Sequence, residues 1–178
     1  MSDDDERSRD DERRRLLGEL ELERKQFIRN IETCRIRDIS RPFIGEWSLR
    51  DIVGHVATWE GEVLTGLRQL KAGARPAVLD FDQSGLQQFN RDHVERKRDI
   101  NFWSLYEQLK GTRARLLDEI ADVDDETLMA EGSVHGSLLR SLAEHDREHW
   151  HDIAAKLAGM TGARHSGAES IPEAARAD

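Results

Sequence analysis

Leu-Leu-Arg-Ser-Leu-Ala-Glu-His-Asp-Arg-Glu-His-Trp-His-Asp-Ile-Ala-Ala-Lys-Leu, residues 138–157, carries the periodicity that decides the fold class. Leu138, Leu142, His145, His149, Ile153 and Leu157 follow at steps of four, three, four, four and four, the spacing of one helical face. His145 and His149 therefore stand on an apolar stripe. Imidazoles at i and i+4 point the same way, so both can reach one divalent cation. The pattern predicts a helix from about Ser137 to Ala158, stopped by Gly159 and Gly162.

Working outward, the same periodicity recurs three times. Ser48 followed by Asp51 fits a capping box, so a second helix is expected from near Ser48 to about Lys71, with Ile52, Val56, Trp59, Val63, Leu67 and Leu70 on its apolar face. His55 stands at the border of that face. A first helix over Asp11–Cys34 presents Leu16, Leu20, Phe27, Ile31 and Cys34, interrupted by Arg24, which is expected to snorkel toward solvent. Arg41-Pro42 breaks the pattern.

Gly73 and Pro76 open a linker through Asp82, followed by a short helix near Ser84–Arg98 and a longer one over about Asn101–Ala121. The acidic, glycine-punctuated run from Asp122 to Gly136 reads as a loop with one turn at Asp125–Met129. Residues 1–10 and 161–178 lack apolar periodicity and are expected to be disordered, which leaves one domain over 11–160. The expected fold is all-α: a four-helix bundle with an extra short helix in its long connection.

The composition agrees. A chain of 178 residues is the size of one domain, and 37% hydrophobic with 35% charged residues, three prolines and one tyrosine suit a charge-rich helical protein. A net charge of −9 argues against a nucleic-acid surface, which needs a concentrated basic patch. The arginines at 13–15 and 91–98 alternate with acids and read as solvated helix faces. No apolar run approaches the ~20 residues of a spanning helix, and the acidic N-terminus is unlike a secretory signal. Cys34 is the lone cysteine, which excludes an intrachain disulfide; it is expected as a small core residue in a reducing, cytoplasmic setting.

Both histidines of the last helix replace apolar residues, and burying imidazoles without partners is costly. If helix packing delivers His55 to the pair, His55, His145 and His149 form an open three-histidine site suited to Zn²⁺, Ni²⁺ or Fe²⁺. The alternative is a buried polar cluster in which each imidazole bonds a neighbouring carboxylate or carbonyl. Asp51, Asp146 and Glu148 are candidates to support the ligands, although Asp51 also fits the capping role. His145-Asp-Arg-Glu-His149 matches the inverted zinc-peptidase pattern, but the acidic ligand that mechanism wants downstream is missing: only Glu169 and Glu173 follow, in the tail. His93, His135, His151 and His165 read as surface residues. Trp47, Trp59 and Trp103 would either wall a pocket over the site or fill the core.

Gly-Glu-Trp-Ser-Leu-Arg-Asp-Ile-Val-Gly-His-Val-Ala-Thr-Trp-Glu (45–60), the leading Leu-Leu-Gly-Glu-Leu-Glu-Leu-Glu-Arg, the Phe81 to Asn90 element and the closing His145, His149 and Ile153 together resemble the DinB/YfiT-like superfamily, most closely its ClbS/DfsB-type branch. The resemblance covers about residues 14–160. It implies an up-down-down-up four-helix bundle, often a homodimer, with metal ligands at His55, His145 and His149, the same three that periodicity singles out. It also implies thiol-dependent transfer or isomerisation, or protection by opening a strained ring in a toxic metabolite, so the leading expectation is a metal-dependent enzyme acting on a small electrophile by hydrolysis or by transfer to a low-molecular-weight thiol. The alternatives are a metal-free small-molecule binding or resistance protein and a dimeric interaction module. A fold does not carry an activity with it.

Overall fold

The computed structural model describes residues 3–166, with side chains described within residues 5–160. Its elements in chain order are helix α1 (Asp3–Thr33), strands β1 (Pro42–Ile44) and β2 (Trp47–Ser48), helices α2 (Leu49–Lys71), α3 (Gln83–Arg96), α4 (Phe102–Ala121), the single-turn α5 (Asp125–Met129) and α6 (Val134–Ser166). The expected all-α class and the long helices are present.

Cross-helix contacts give the directions. Glu19 and Glu23 both reach Arg147, and Glu23 also reaches Trp150, so α1 and α6 run parallel. Arg13 bonds the Ile120 carbonyl while the Tyr106 hydroxyl bonds Glu32, so α4 runs against α1. Glu60 meets Arg113 and Arg68 meets Glu119, so α2 and α4 run parallel. This is an up-down-down-up bundle. Gly54 lets α2 and α4 approach: a Cβ there would stand 3.3 Å from Leu105 Cδ1. Two parallel neighbours need a connection that returns along the bundle. Residues 72–101 supply it, and α3 lies within that stretch.

The core forms two apolar clusters. Leu16, Leu20, Leu67, Leu116, Leu138 and Leu139 fill one half. Phe27, Ile31, Ile52, Val56, Leu109 and Ile153 fill the other.

Between them lies a feature that the periodicity did not reveal. Arg24 does not snorkel. It is 5% exposed and grips Asp146 with Nε at 2.8 Å and Nη2 at 3.0 Å, while its Nη1 donates to Glu60 at 3.0 Å. Arg113 completes the set, donating to Glu60, to Asp146 at 3.0 Å and to the Leu20 carbonyl at 2.7 Å. Each of α1, α2, α4 and α6 thus contributes one charge to a neutral, buried network. Burial works against the Arg24 charge, and the carboxylates of Asp146 and Glu60 outweigh it, so its pKa is raised. The side chain stays inside because acids on two other helices satisfy it there.

Further boundaries and side chains depart from expectation. Helix α1 begins at Asp3, inside the stretch expected to be disordered, where acidic residues favour a helix N-terminus and Arg14 pairs with Asp10 one turn back. Arg13 is no solvated residue: it bonds the Ile120 and Val123 carbonyls and Asp125, and so closes the end of α4. Helix α6 passes Gly159 and Gly162 to Ser166, since one glycine costs a helix only about 1 kcal/mol and does not by itself stop it. The rest of the expected tail, residues 167–178, lies outside the described residues, as do residues 1–2.

Candidate functional site

The site starts with a hairpin that apolar periodicity did not mark. Pro42 pairs with Ser48 and Ile44 with Trp47, and Gly45 takes φ +58°, a conformation that favours glycine, to make the turn. The hairpin leads directly into α2 through the Ser48 cap. The Ser48 hydroxyl accepts from the Asp51 amide, and Asp51 accepts from the Ser48 amide at 2.9 Å and hydroxyl at 2.6 Å. Asp51 is therefore the capping acid.

This geometry fixes two side chains. Trp47 is placed over His55, ring centroids 4.8 Å apart, and His55 is turned toward α6. His55 Nε2 stands 3.0 Å from His145 Nε2, and His149 Nε2 stands 3.1 Å from the same atom. One ligand atom from each of the three histidines lies within 4.8 Å of the others. Packing thus brings His55, His145 and His149 together as the helix pattern anticipates. Ile52 and Val56 on α2 and Ile153 on α6 share the core cluster beside them.

The three rings are held neutral. Burial, helped by the neighbouring histidines, drops the His55 pKa to about 2, and burial with His149 beside it drops His145 to about 3. Burial also lowers His149. Neutral imidazoles with converging nitrogens present lone pairs, not charges, to whatever sits between them. Such a donor set suits a divalent cation held at ~2.0–2.1 Å from each nitrogen. His145 Nδ1 is buried with no hydrogen-bond partner. It is the ring's other nitrogen, and a proton there leaves the Nε2 lone pair free.

The histidines form the floor of an open cavity of about 470 Å³. Trp47, Trp59, Val63, Leu86 and Leu142 wall it, and Asn90, Ser141 and Glu148 add polar atoms at the rim. The crossover connection contributes directly, because Asn90 on α3 accepts from Trp59 Nε1 at 2.9 Å. Phe89 and Phe81 pack on Trp59 at 4.9 and 6.1 Å between centroids, anchoring α3 beside the opening.

Other expectations resolve individually. Asp146 does not support His145 by contact; its carboxylate belongs to the Arg24–Arg113 network. Trp47 and Trp59 wall the cavity, whereas Trp103 is 66% exposed, packs against Phe102 and lines a separate depression with Ile31, Cys34 and Leu49. His151 is exposed as expected, but His93 is half-buried against Phe89, 3.9 Å between centroids, and His135 is half-buried beside a separate cavity. His165 lies outside the described side chains. Cys34 is half-buried, donates to the Asn30 carbonyl, and has its thiol pushed to about 11 by burial and Asp38, so it is not a reactive thiolate.

With the geometry established, comparison with known proteins decides the family. The sequence profile of the DinB superfamily matches residues 32–153, the span from the end of α1 to the histidine helix. The chain belongs to the DinB superfamily. A crystal structure of an uncharacterised protein from Escherichia coli UTI89 superposes with a TM-score of 0.72 at 14% identity, covering 82% of this chain and 92% of that one. At that identity the likeness shows a shared fold alone. No curated protein matches the chain. Among the described residues no helix is long and apolar enough to cross a membrane.

Proposed function

We propose that this DinB-superfamily protein is a divalent-metal-dependent enzyme acting on a small electrophilic molecule, by hydrolysis or by transfer to a low-molecular-weight thiol. His55, His145 and His149 would hold the ion, Zn²⁺, Ni²⁺ or Fe²⁺. The observation that carries this reading is the convergence of three neutral imidazole nitrogens, 3.0 and 3.1 Å apart along the sequence His55–His145–His149, on the floor of a cavity. When bound at an open three-nitrogen site, such an ion polarises a substrate oxygen and makes a coordinated water or thiol a nucleophile near neutral pH.

The chain's own residues supply the rest. Trp47 and Trp59 keep water from two sides of the histidines. The Asn90 amide holds the Trp59 indole in place, and Glu148 is the one carboxylate among the residues lining the cavity. The likeness of residues 45–60 to the ClbS/DfsB-type branch, a homodimeric state and a cytoplasmic setting belong to the same proposal.

Metal content measured after purification without a nickel column tests it, together with the His55→Ala and His149→Ala variants. Stoichiometric metal in the parent and its loss in both variants supports the reading. A parent without metal, with variants that behave identically, ends it. A second reading has its own observation: 3.0 and 3.1 Å are also hydrogen-bond distances, so the cluster can share protons in a metal-free binding protein. Added Zn²⁺ or Ni²⁺ would then leave the melting temperature unchanged.

A further inference from the structure

The charges around the cavity are one-sided. Among the described residues that line it there is no lysine or arginine, and its one carboxylate is Glu148. A smaller depression of about 380 Å³ shares Trp47 and His149 with it, and there the ionisable groups besides the histidine are Glu46 and Asp152. Four cations of the surrounding elements are engaged by other partners. Arg24 and Arg113 are consumed beneath the floor by Asp146 and Glu60. Arg147 turns to Glu19 and Glu23 on α1. Lys97 donates to the Gly54 carbonyl at 3.1 Å and to Gln108 at 3.4 Å, behind α2.

We propose that the cavity takes the aromatic body of a molecule that is uncharged or positively charged away from its reacting group, and that Glu148 sets this preference. This deepens the reading given under Proposed function and rests on it for what happens at the histidines. The walls are the faces and edges of Trp47 and Trp59 with Leu86 and Leu142, a surface that gains by covering a flat apolar group. Indole faces carry negative potential, which attracts an ammonium and repels a carboxylate. An anionic ligand body would lose water to enter and find Glu148 where it needs a guanidinium or ammonium. A cavity of about 470 Å³ is within the size range of small-molecule sites. Carboxylate-rich peptide thiols are therefore poor fits, and a neutral or cationic aromatic electrophile is a good one.

Three probes of matched shape test this: 1-naphthylmethylammonium, 1-naphthalenemethanol and 1-naphthoate. Calorimetry on the chelator-treated full-length chain measures affinity, and the indole N–H resonances of Trp47 and Trp59 report the location. The ammonium and the alcohol are expected to bind at least ten-fold more tightly than the carboxylate, shifting Trp47 and Trp59 but not Trp103. Glu148→Lys, an exposed substitution, should reverse the order of ammonium and carboxylate. Equal or tighter binding of the carboxylate to the parent chain, or shifts confined to other tryptophans, overturns the proposal. Metal content is measured on the same preparation before chelation. Loss of the metal reading and loss of this one are thereby separate results.

Discussion

Arg24 and Asp146 meet side-on inside the bundle, Nε to Oδ2 at 2.8 Å and Nη2 to Oδ1 at 3.0 Å, one from α1 and one from α6. A two-point pair of this kind is directional as well as strong. Breaking it from one side strands a charge without water. Asp146→Asn or Arg24→Met is expected to lower unfolding free energy by about 3–5 kcal/mol in urea titrations. Replacing all four members of the network with apolar residues of similar volume should instead recover stability to near the parent value or above it. A quadruple variant as unstable as the single ones would show that the network is worth more than an apolar core.

Acid should destabilise the protein through the histidines. His55 and His145 have folded pKa values near 2 and 3, below the value near 6.5 of the unfolded chain. Above pH ~6.5 both states are neutral and this contribution to stability is complete. As pH falls below ~6.5 the unfolded chain takes up protons first, so stability declines down to the folded pKa values. The melting temperature of the metal-free protein is expected to fall steadily between pH 6.5 and 4, with a shallower slope in His145→Gln. Parallel slopes for parent and variant would place the sensitivity elsewhere.

Gly136, in the first turn of α6, is constrained by contact. A Cβ there would lie 2.6 Å from the Leu128 carbonyl oxygen, backbone that has little room to move. Gly136→Ala should cost about 1–3 kcal/mol as an overpacked position, despite the better helix propensity of alanine. Thermal unfolding that is unchanged or improved would show that α5 shifts freely.

The Ser48 cap links stability to the site. Ser48→Ala removes the oxygen that accepts from the Asp51 amide and is expected to cost about 1 kcal/mol. Because the β-hairpin enters α2 at this residue, the variant should also alter the fluorescence or indole resonance of Trp47. A stability loss with an unchanged Trp47 signal would mean that the hairpin is positioned independently of the cap.

Much of this was legible in the sequence, for identifiable reasons. Helices α2 and α6 carry long apolar stripes, and a histidine on such a stripe faces inward, so His145 and His149 could be named from spacing, with His55 a candidate at the border of its stripe that packing had to deliver. Arg24, Glu60, Arg113 and Asp146 could not be matched in the same way. Each stands on a different helix among many other charged residues, and only packing reveals that the four meet. An arginine in an apolar stripe has two outcomes, snorkelling or burial with partners, and the partners Glu60, the Leu109 carbonyl and Asp146 lie 36, 85 and 122 positions away along the chain. The two-residue strand of the hairpin is too short to leave a period. The persistence of α6 beyond Gly159 reflects how weakly one glycine opposes a helix already formed.

Because α2 and α4 point the same way, the chain has to travel back along the bundle between them, and the route passes the mouth of the cavity. The histidines stand on the frame, while Leu86 and Asn90 stand on that return path. One wall of the cavity is therefore written in a different stretch of the polypeptide from the histidines and Glu148. Exchange of residues 72–101 alone is a way to reshape that wall and leave the three histidines in place.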